Sequence, residues 1–170
     1  MNYSNQQSKV LIVIPCLNEV AHIERIVRFC HSEATHPESL IVITDGGSHD
    51  GTLEVLAGLQ QRMNKIVVLD NPNKIQSSGV NLAVSTYGHN FELFVRIDVH
   101  AEYPVGYVST LINEQKSTGA SSVVVSMDTQ GKSPIQKLIA ETRTRHLAMV
   151  AQAIATPSMR ESGSNTAIMH

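Results

Sequence analysis

Five short β-branched runs constrain this chain more than anything else in its sequence: KVLIVIP (9–15), LIVIT (40–44), KIVVLD (65–70), LFVRI (93–97) and SSVVVSM (121–127). Each holds at least three consecutive apolar residues, the pattern of a strand covered on both faces. The segments between them, 19–32, 50–63, 76–88 and 104–118, carry helical spacing. The first puts Val20, Ile23, Ile26, Val27 and Cys30 on one stripe, and Pro104 suits the first turn of the fourth. This alternation predicts βαβ units with right-handed crossovers, hence an α/β fold with a mainly parallel sheet flanked by helices. After Pro134 a long helix is expected, with Ile135, Leu138, Ile139, Met149, Val150 and Ile154 along one side. From Pro157 the pattern stops. The expected organisation is a disordered tail over 1–8, one domain over 9–156 and an incomplete C-terminal segment over 157–170 that continues in a longer parent chain.

With 170 residues, 42% of them hydrophobic, the chain can bury one sizeable core. Its 13 Lys and Arg against 15 Asp and Glu give a formal charge of -2 and form no basic run, so nothing marks a nucleic-acid backbone as a partner. An anionic ligand would need a metal ion or local dipoles. Cys16 and Cys30 are the only cysteines, too few for a disulfide framework or a zinc set, which favours a reducing compartment. The polar start MNYSNQQSK lacks a signal-peptide core, and no apolar run approaches the ~18 residues of a membrane span. A cytoplasmic location follows as the expectation, with membrane association only through parts beyond this segment, at the cytoplasmic face of the inner membrane.

Ligands of an open parallel sheet bind outside the carboxyl ends of its strands. Three of those ends carry unusual polar sets: PCLNE, DGGSHDGT and DVHAE. In the second, Asp45 ends a strand, two glycines permit a tight turn, and Ser48 or Asp50 offers an N-cap for the next helix. Asp45 is read either as part of that turn or as an acceptor for a ribose or base. Asn18 suits a helix cap, and Glu19 suits the positive end of a helix dipole. Asp98, His100 and Glu102 are spaced i, i+2, i+4, so an extended backbone would place them on one face. That is either a solvated strand face or a metal site. The turn PCLNEV has no glycine, which argues against a G-x-G-x-x-G dinucleotide site, and the phosphate-binding G-x-x-x-x-G-K-[ST] is absent.

PCLNE, DGGSHDGT and RIDVHA in this order resemble the family 2 glycosyltransferases with a Rossmann-like GT-A fold, in particular bacterial enzymes of succinoglycan-type exopolysaccharide synthesis, where D-x-H-A replaces D-x-D. The resemblance covers roughly 9–156. It implies an inverting, metal-dependent transferase that moves a sugar from a nucleotide-diphosphate donor, usually a UDP-sugar, to a saccharide or lipid-linked acceptor. By position, Pro15, Asn18 and Glu19 match the nucleotide-contacting segment, with Glu19 at the ribose or base. Asp45 matches the acid at the uracil end, Asp98 faces the ribose or the metal, and His100 is a metal ligand. Lys74 and Asn81 fall in a segment, NPNKIQSSGVNLAV, that resembles the helix under the donor. The implied cofactor is Mn or Mg, and an imidazole ligand shifts preference towards Mn. The family's general base lies C-terminal to the part matching 157–170, where Glu161 is the sole carboxylate; no catalytic base is assigned. Two alternatives stand beside this reading: a non-catalytic nucleotide-sugar-binding module lacking that base, and a nucleotidyltransferase.

Overall fold

In the computed structural model, residues 8–125 are described here, and those up to Val123 belong to one compact unit. The elements alternate as β1 (Val10–Cys16), α1 (Ile23–Glu33), β2 (Leu40–Asp45), α2 (Thr52–Arg62), β3 (Ile66–Asp70), α3 (Gln76–Tyr87), β4 (Leu93–Arg96) and α4 (Tyr107–Thr118). The four strands are parallel and lie in the order β3-β2-β1-β4. The chain therefore leaves β1 towards β2 and β3, then crosses back to place β4 on the other side of β1. The point where the order reverses lies between β1 and β4.

Side-chain alternation decides which helix covers which face. Ile12, Ile14, Ile41, Ile43 and Val95 meet the stripe Ile23, Ile26, Val27 and Cys30 of α1, Leu56 and Leu59 of α2 and Val108 of α4. Leu11, Val13 and Val42 point the other way, onto Ala83 and Val80 of α3. β1 is buried along its whole length because both faces are covered. Each such aliphatic side chain contributes roughly 1.5–3 kcal/mol relative to exposure.

α3 sits close to its strand because of Gly79. A Cβ there would lie 2.3 Å from Thr44 Oγ1, 3.0 Å from Thr44 Cβ and 3.1 Å from Asn71 Nδ2, so only glycine lets this helix approach β2. Glu33, at the end of α1, accepts hydrogen bonds from the backbone N–H groups of Gly106 and Val108 at 2.8 and 2.9 Å. A carboxylate at that helix N-terminus satisfies orphan donors and complements the dipole, and it ties α4 to α1.

Three expectations are corrected. α1 begins at Ile23 rather than at residue 19, because 17–22 form a loop bound to the next strand end, and its N-cap is His22 rather than Asn18. Pro104 precedes α4 by three residues instead of lying in its first turn. Of the expected strand 121–127, the described part, 121–125, is not a strand: β propensity supplies no ladder without a neighbouring edge in register. The helix expected after Pro134 and the segment 157–170 lie outside the described residues, as do 1–7.

Candidate donor-binding site

Pro15 opens the site. In a parallel ladder alternate residues bond to opposite neighbours. Val13 O accepts from Ile97 N on the β4 side, while Cys16 O accepts from Gly46 N on the β2 side. Pro15 therefore turns its missing N–H towards β4, whose pairing with β1 has already ended at Arg96. A proline is tolerated in this central strand because no ladder bond is required there, and the pairing of the two strands stops at the switch point. Its side chain is buried, in register with Thr44.

The first two polar segments are clipped together by two hydroxyls used alike. Ser48 Oγ accepts from Asn18 N at 2.7 Å and donates to Asp45 Oδ1. Thr52 Oγ1 accepts from Glu19 N at 2.8 Å and donates to Asp50 Oδ1 at 2.6 Å. Asp50 Oδ2 also takes the N–H of Val20, and Asn18 Oδ1 takes that of His49. These bonds hold Asn18 in the left-handed region at φ 55°. Asn18 is thus a loop fastener and caps no helix. Ser48 does not cap α2 either; Asp50 receives the first-turn N–H of Thr52 at 3.0 Å, one residue before the helix cap Gly51. The Thr52 hydroxyl, more than any other group, holds the Asp50 carboxyl below its usual range.

Asp45 is buried with its carboxylate fully engaged. Oδ2 accepts from Gly47 N and Ser48 N, each at 2.8 Å, while Oδ1 accepts from the Ser48 hydroxyl and, at 3.5 Å, the Cys16 thiol. Its observed task is to order the glycine turn. Burial and the neighbouring Asp45 carboxylate push the Cys16 thiol well above the ordinary range, so it is no nucleophile. Lys74 packs over the same turn. A Cβ on Gly46 would meet its Cα at 3.4 Å, and one on Gly47 would lie 4.0 Å from its Nζ. The ammonium has no hydrogen-bond or ion-pair partner among the described residues.

The third segment does not continue as a strand. Ala101 N donates to Asp98 O at 3.4 Å, so 98–101 is a turn, closed further by His100 N donating to Asp98 Oδ1 at 3.1 Å. The i, i+2, i+4 face expected of an extended backbone is therefore absent, and Glu102 is exposed without joining the group. Two residues missed by sequence reading build this turn. Arg25 of α1 donates to the carbonyls of Val99 and Ala101 at 3.1 and 3.2 Å, and the Tyr103 hydroxyl accepts from Asp98 N at 2.8 Å while its ring stacks on Phe29. Arg25 is legible only as a cation interrupting the exposed side of an amphipathic helix, a common surface pattern. Arg96 bonds Gln76 Oε1 at 2.7 Å and so joins the end of β4 to the start of α3.

What the turn achieves is a meeting. His100 Nε2 lies 2.7 Å from Glu19 Oε1, joining the first and third segments beyond the ends of β1 and β4. His22, also unforeseen, places its ring edge-on to His100 at 5.5 Å between centroids. The spacing Glu19-x-x-His22 at a helix start is its only trace in the sequence. Asn81 is not brought in. It lies two residues, about 200° of helix, from the sheet-facing Gly79 and Ala83, and it is exposed on the far side of α3. Glu161 lies outside the described residues.

Among the described residues no three His, Cys, Asp or Glu side chains form a closed metal cluster. Asp98 Oδ2 and His100 Nδ1 have no hydrogen-bond partner there. One carboxylate oxygen and one imidazole nitrogen are donors of the kinds a divalent ion takes beside waters and phosphate oxygens, and are too few for a structural zinc site.

A sequence model described as Glycosyl transferase family 2 matches residues 11–162 of this chain. The chain belongs to glycosyltransferase family 2. It is 45% identical over 130 residues to the succinoglycan biosynthesis protein ExoA of Rhizobium meliloti (strain 1021), a match covering 76% of this chain and 39% of that protein. Among solved structures it is similar to S. aureus TarS 1-349, with a TM-score of 0.49 and 14% identity over 74% of this chain and 40% of the other. It is likewise similar to a longer TarS structure, with a TM-score of 0.47, of which it covers 24%. The chain thus spans about two fifths of the length of the curated relative. The parallel sheet flanked by helices agrees with the Rossmann-like GT-A fold expected of the family. Among the described residues no helix is long and apolar enough to cross a membrane.

Proposed function

We propose that this chain forms the donor-binding part of an inverting glycosyltransferase that takes a sugar from a nucleotide-diphosphate donor, a UDP-sugar, in exopolysaccharide synthesis. The observation supporting it most is the meeting of the strand-end segments at the β1/β4 switch point, where Glu19 and His100 are in contact. Family membership supports the reaction class, and the similarity to a succinoglycan biosynthesis protein supports a saccharide or lipid-linked acceptor.

Each residue then has a task. Pro15 ends the hydrogen-bonded pairing of β1 with β4. Asn18, Ser48, Asp50 and Thr52 lock the two loops that would flank the nucleoside, and Asp45 acts through the glycine turn it orders. Lys74, without a partner among the described residues, offers its charge to the phosphates. Asp98 and His100 would hold a Mn or Mg ion, which when bound offsets the diphosphate charge and stabilises the departing nucleotide. That accounts for an anionic donor on a chain of net charge -2. Neither Asn81 nor Glu102 is given a part.

Calorimetric titration of UDP with and without Mn tests the reading. Metal-dependent heat is expected, lost in Asp98→Ala and kept in Glu102→Ala. Absence of any metal-dependent heat at millimolar UDP would overturn it.

A further inference from the structure

Glu19 has the geometry of a group that acts on another residue. Its side chain is only 12% exposed, whereas the His100 side chain it meets is 65% exposed. Its backbone is held on both sides: the N–H donates to Thr52 Oγ1 at 2.8 Å, and the carbonyl accepts from His22 N and Ile23 N, each at 2.9 Å. A carboxylate on so fixed a backbone is pre-organised. The backbone of His100 is held as well, because Arg25 binds the carbonyls on either side of it and Asp98 Oδ1 accepts its N–H.

We propose that Glu19 is a positioning residue for His100: it takes the Nε2 hydrogen, fixes the ring plane, and leaves Nδ1 as the nitrogen open to a ligand. A carboxylate accepts, so at 2.7 Å Nε2 carries the hydrogen; a ring that binds a metal must be neutral, and its lone pair is then on Nδ1. The edge of His22 at 5.5 Å restricts the same ring from the side. This is the arrangement by which an outer carboxylate orients a metal-binding imidazole and raises its basicity. It differs from the expectation that Glu19 touches the ribose or base, and it rests on the reading that His100 meets the donor's cation.

The decisive measurement begins with the metal-free protein. Long-range proton–nitrogen NMR of the imidazoles, assigned with His100→Gln, should show His100 as the Nε2–H tautomer with a Hε2 that exchanges slowly with water. In Glu19→Ala that proton should exchange at least about ten times faster, with Glu19→Gln intermediate and the circular dichroism unchanged. Affinity for Mn with UDP should fall roughly 10–100-fold in Glu19→Ala, the usual cost of removing such an outer partner, while affinity for UDP alone stays the same. An Nδ1–H tautomer in the wild-type protein, or unchanged Hε2 exchange in Glu19→Ala, would overturn the proposal. So would a loss of metal-free UDP affinity, which would make Glu19 a direct nucleotide contact. If the wild-type protein shows the tautomer but no metal-dependent UDP binding, the donor reading fails while the Glu19–His100 coupling stands.

Discussion

Replacing Gly79 by alanine should destabilise this protein, although the same change in most helices does the opposite. In a helix interior alanine is favoured over glycine by about 1 kcal/mol, partly through the unfolded chain. Gly58 of α2 is the internal comparison: a Cβ there would meet only Arg62 Nη2, at 3.2 Å, the end of a side chain free to move. Gly58→Ala should therefore raise stability by roughly 0.5–1 kcal/mol. At Gly79 the new methyl would lie 2.3 Å from Thr44 Oγ1 and 3.0 Å from Thr44 Cβ. Thr44 is fully buried on β2, and no turn of its χ1 moves its Cβ away, so the helix must lift. Overpacking of this kind costs about 1–3 kcal/mol. At the upper end of that range, less the propensity gain, Gly79→Ala should lose about 2 kcal/mol. Urea unfolding followed by circular dichroism reads both variants. Thr44→Ala supplies the cycle: Thr44 Oγ1 has no hydrogen-bond partner among the described residues, so its removal breaks no bond seen there, and Thr44→Ala/Gly79→Ala should recover at least about 1 kcal/mol. A Gly79→Ala protein as stable as the parent, or more so, would refute the close-approach explanation.

Two further outcomes follow from the same structure. Arg25→Ala should leave the elements intact but free the 98–101 turn, lowering stability by about 1 kcal/mol and raising amide exchange around His100; unchanged protection there would show that Tyr103 suffices. At alkaline pH the two thiols should limit stability. Burial pushes Cys30 up to about 12 and Cys16 further, from an ordinary 9.0. A raised folded-state value means that this stabilisation is full below the unfolded pKa and is lost as pH rises above it. At one unit above it the loss is about 1.4 kcal/mol per thiol. Cys30→Ala should flatten the decline between pH 9 and 11 in urea titrations, and an equally steep fall would remove Cys30 as a cause.

Local pattern carried much of the architecture. Strands over 9–15, 40–44, 65–70 and 93–97, and the helices between them, are observed within a few residues, because a buried strand and an amphipathic helix each write their period into adjacent positions. The strand ends were legible for the same reason, since polar residues must appear where burial stops. The element starts were less so. Nothing near Asn18 announces that Ser48 will take its N–H, and the helix consequently begins at Ile23.

The site shows the division most sharply. The sequence by itself determined a parallel α/β sheet, the three polar segments at its carboxyl edge and, through their resemblance, the family. Only the tertiary structure decided what those residues do to one another. It turned the chain at Asp98, so Glu102 left the group. It brought Glu19 to His100, drew in His22 and Arg25, and faced Asn81 away. Periodicity reports which side of its own element a residue occupies. Contacts between loops separated by several elements depend on the strand order and register that pack those elements together, and no local spacing encodes them.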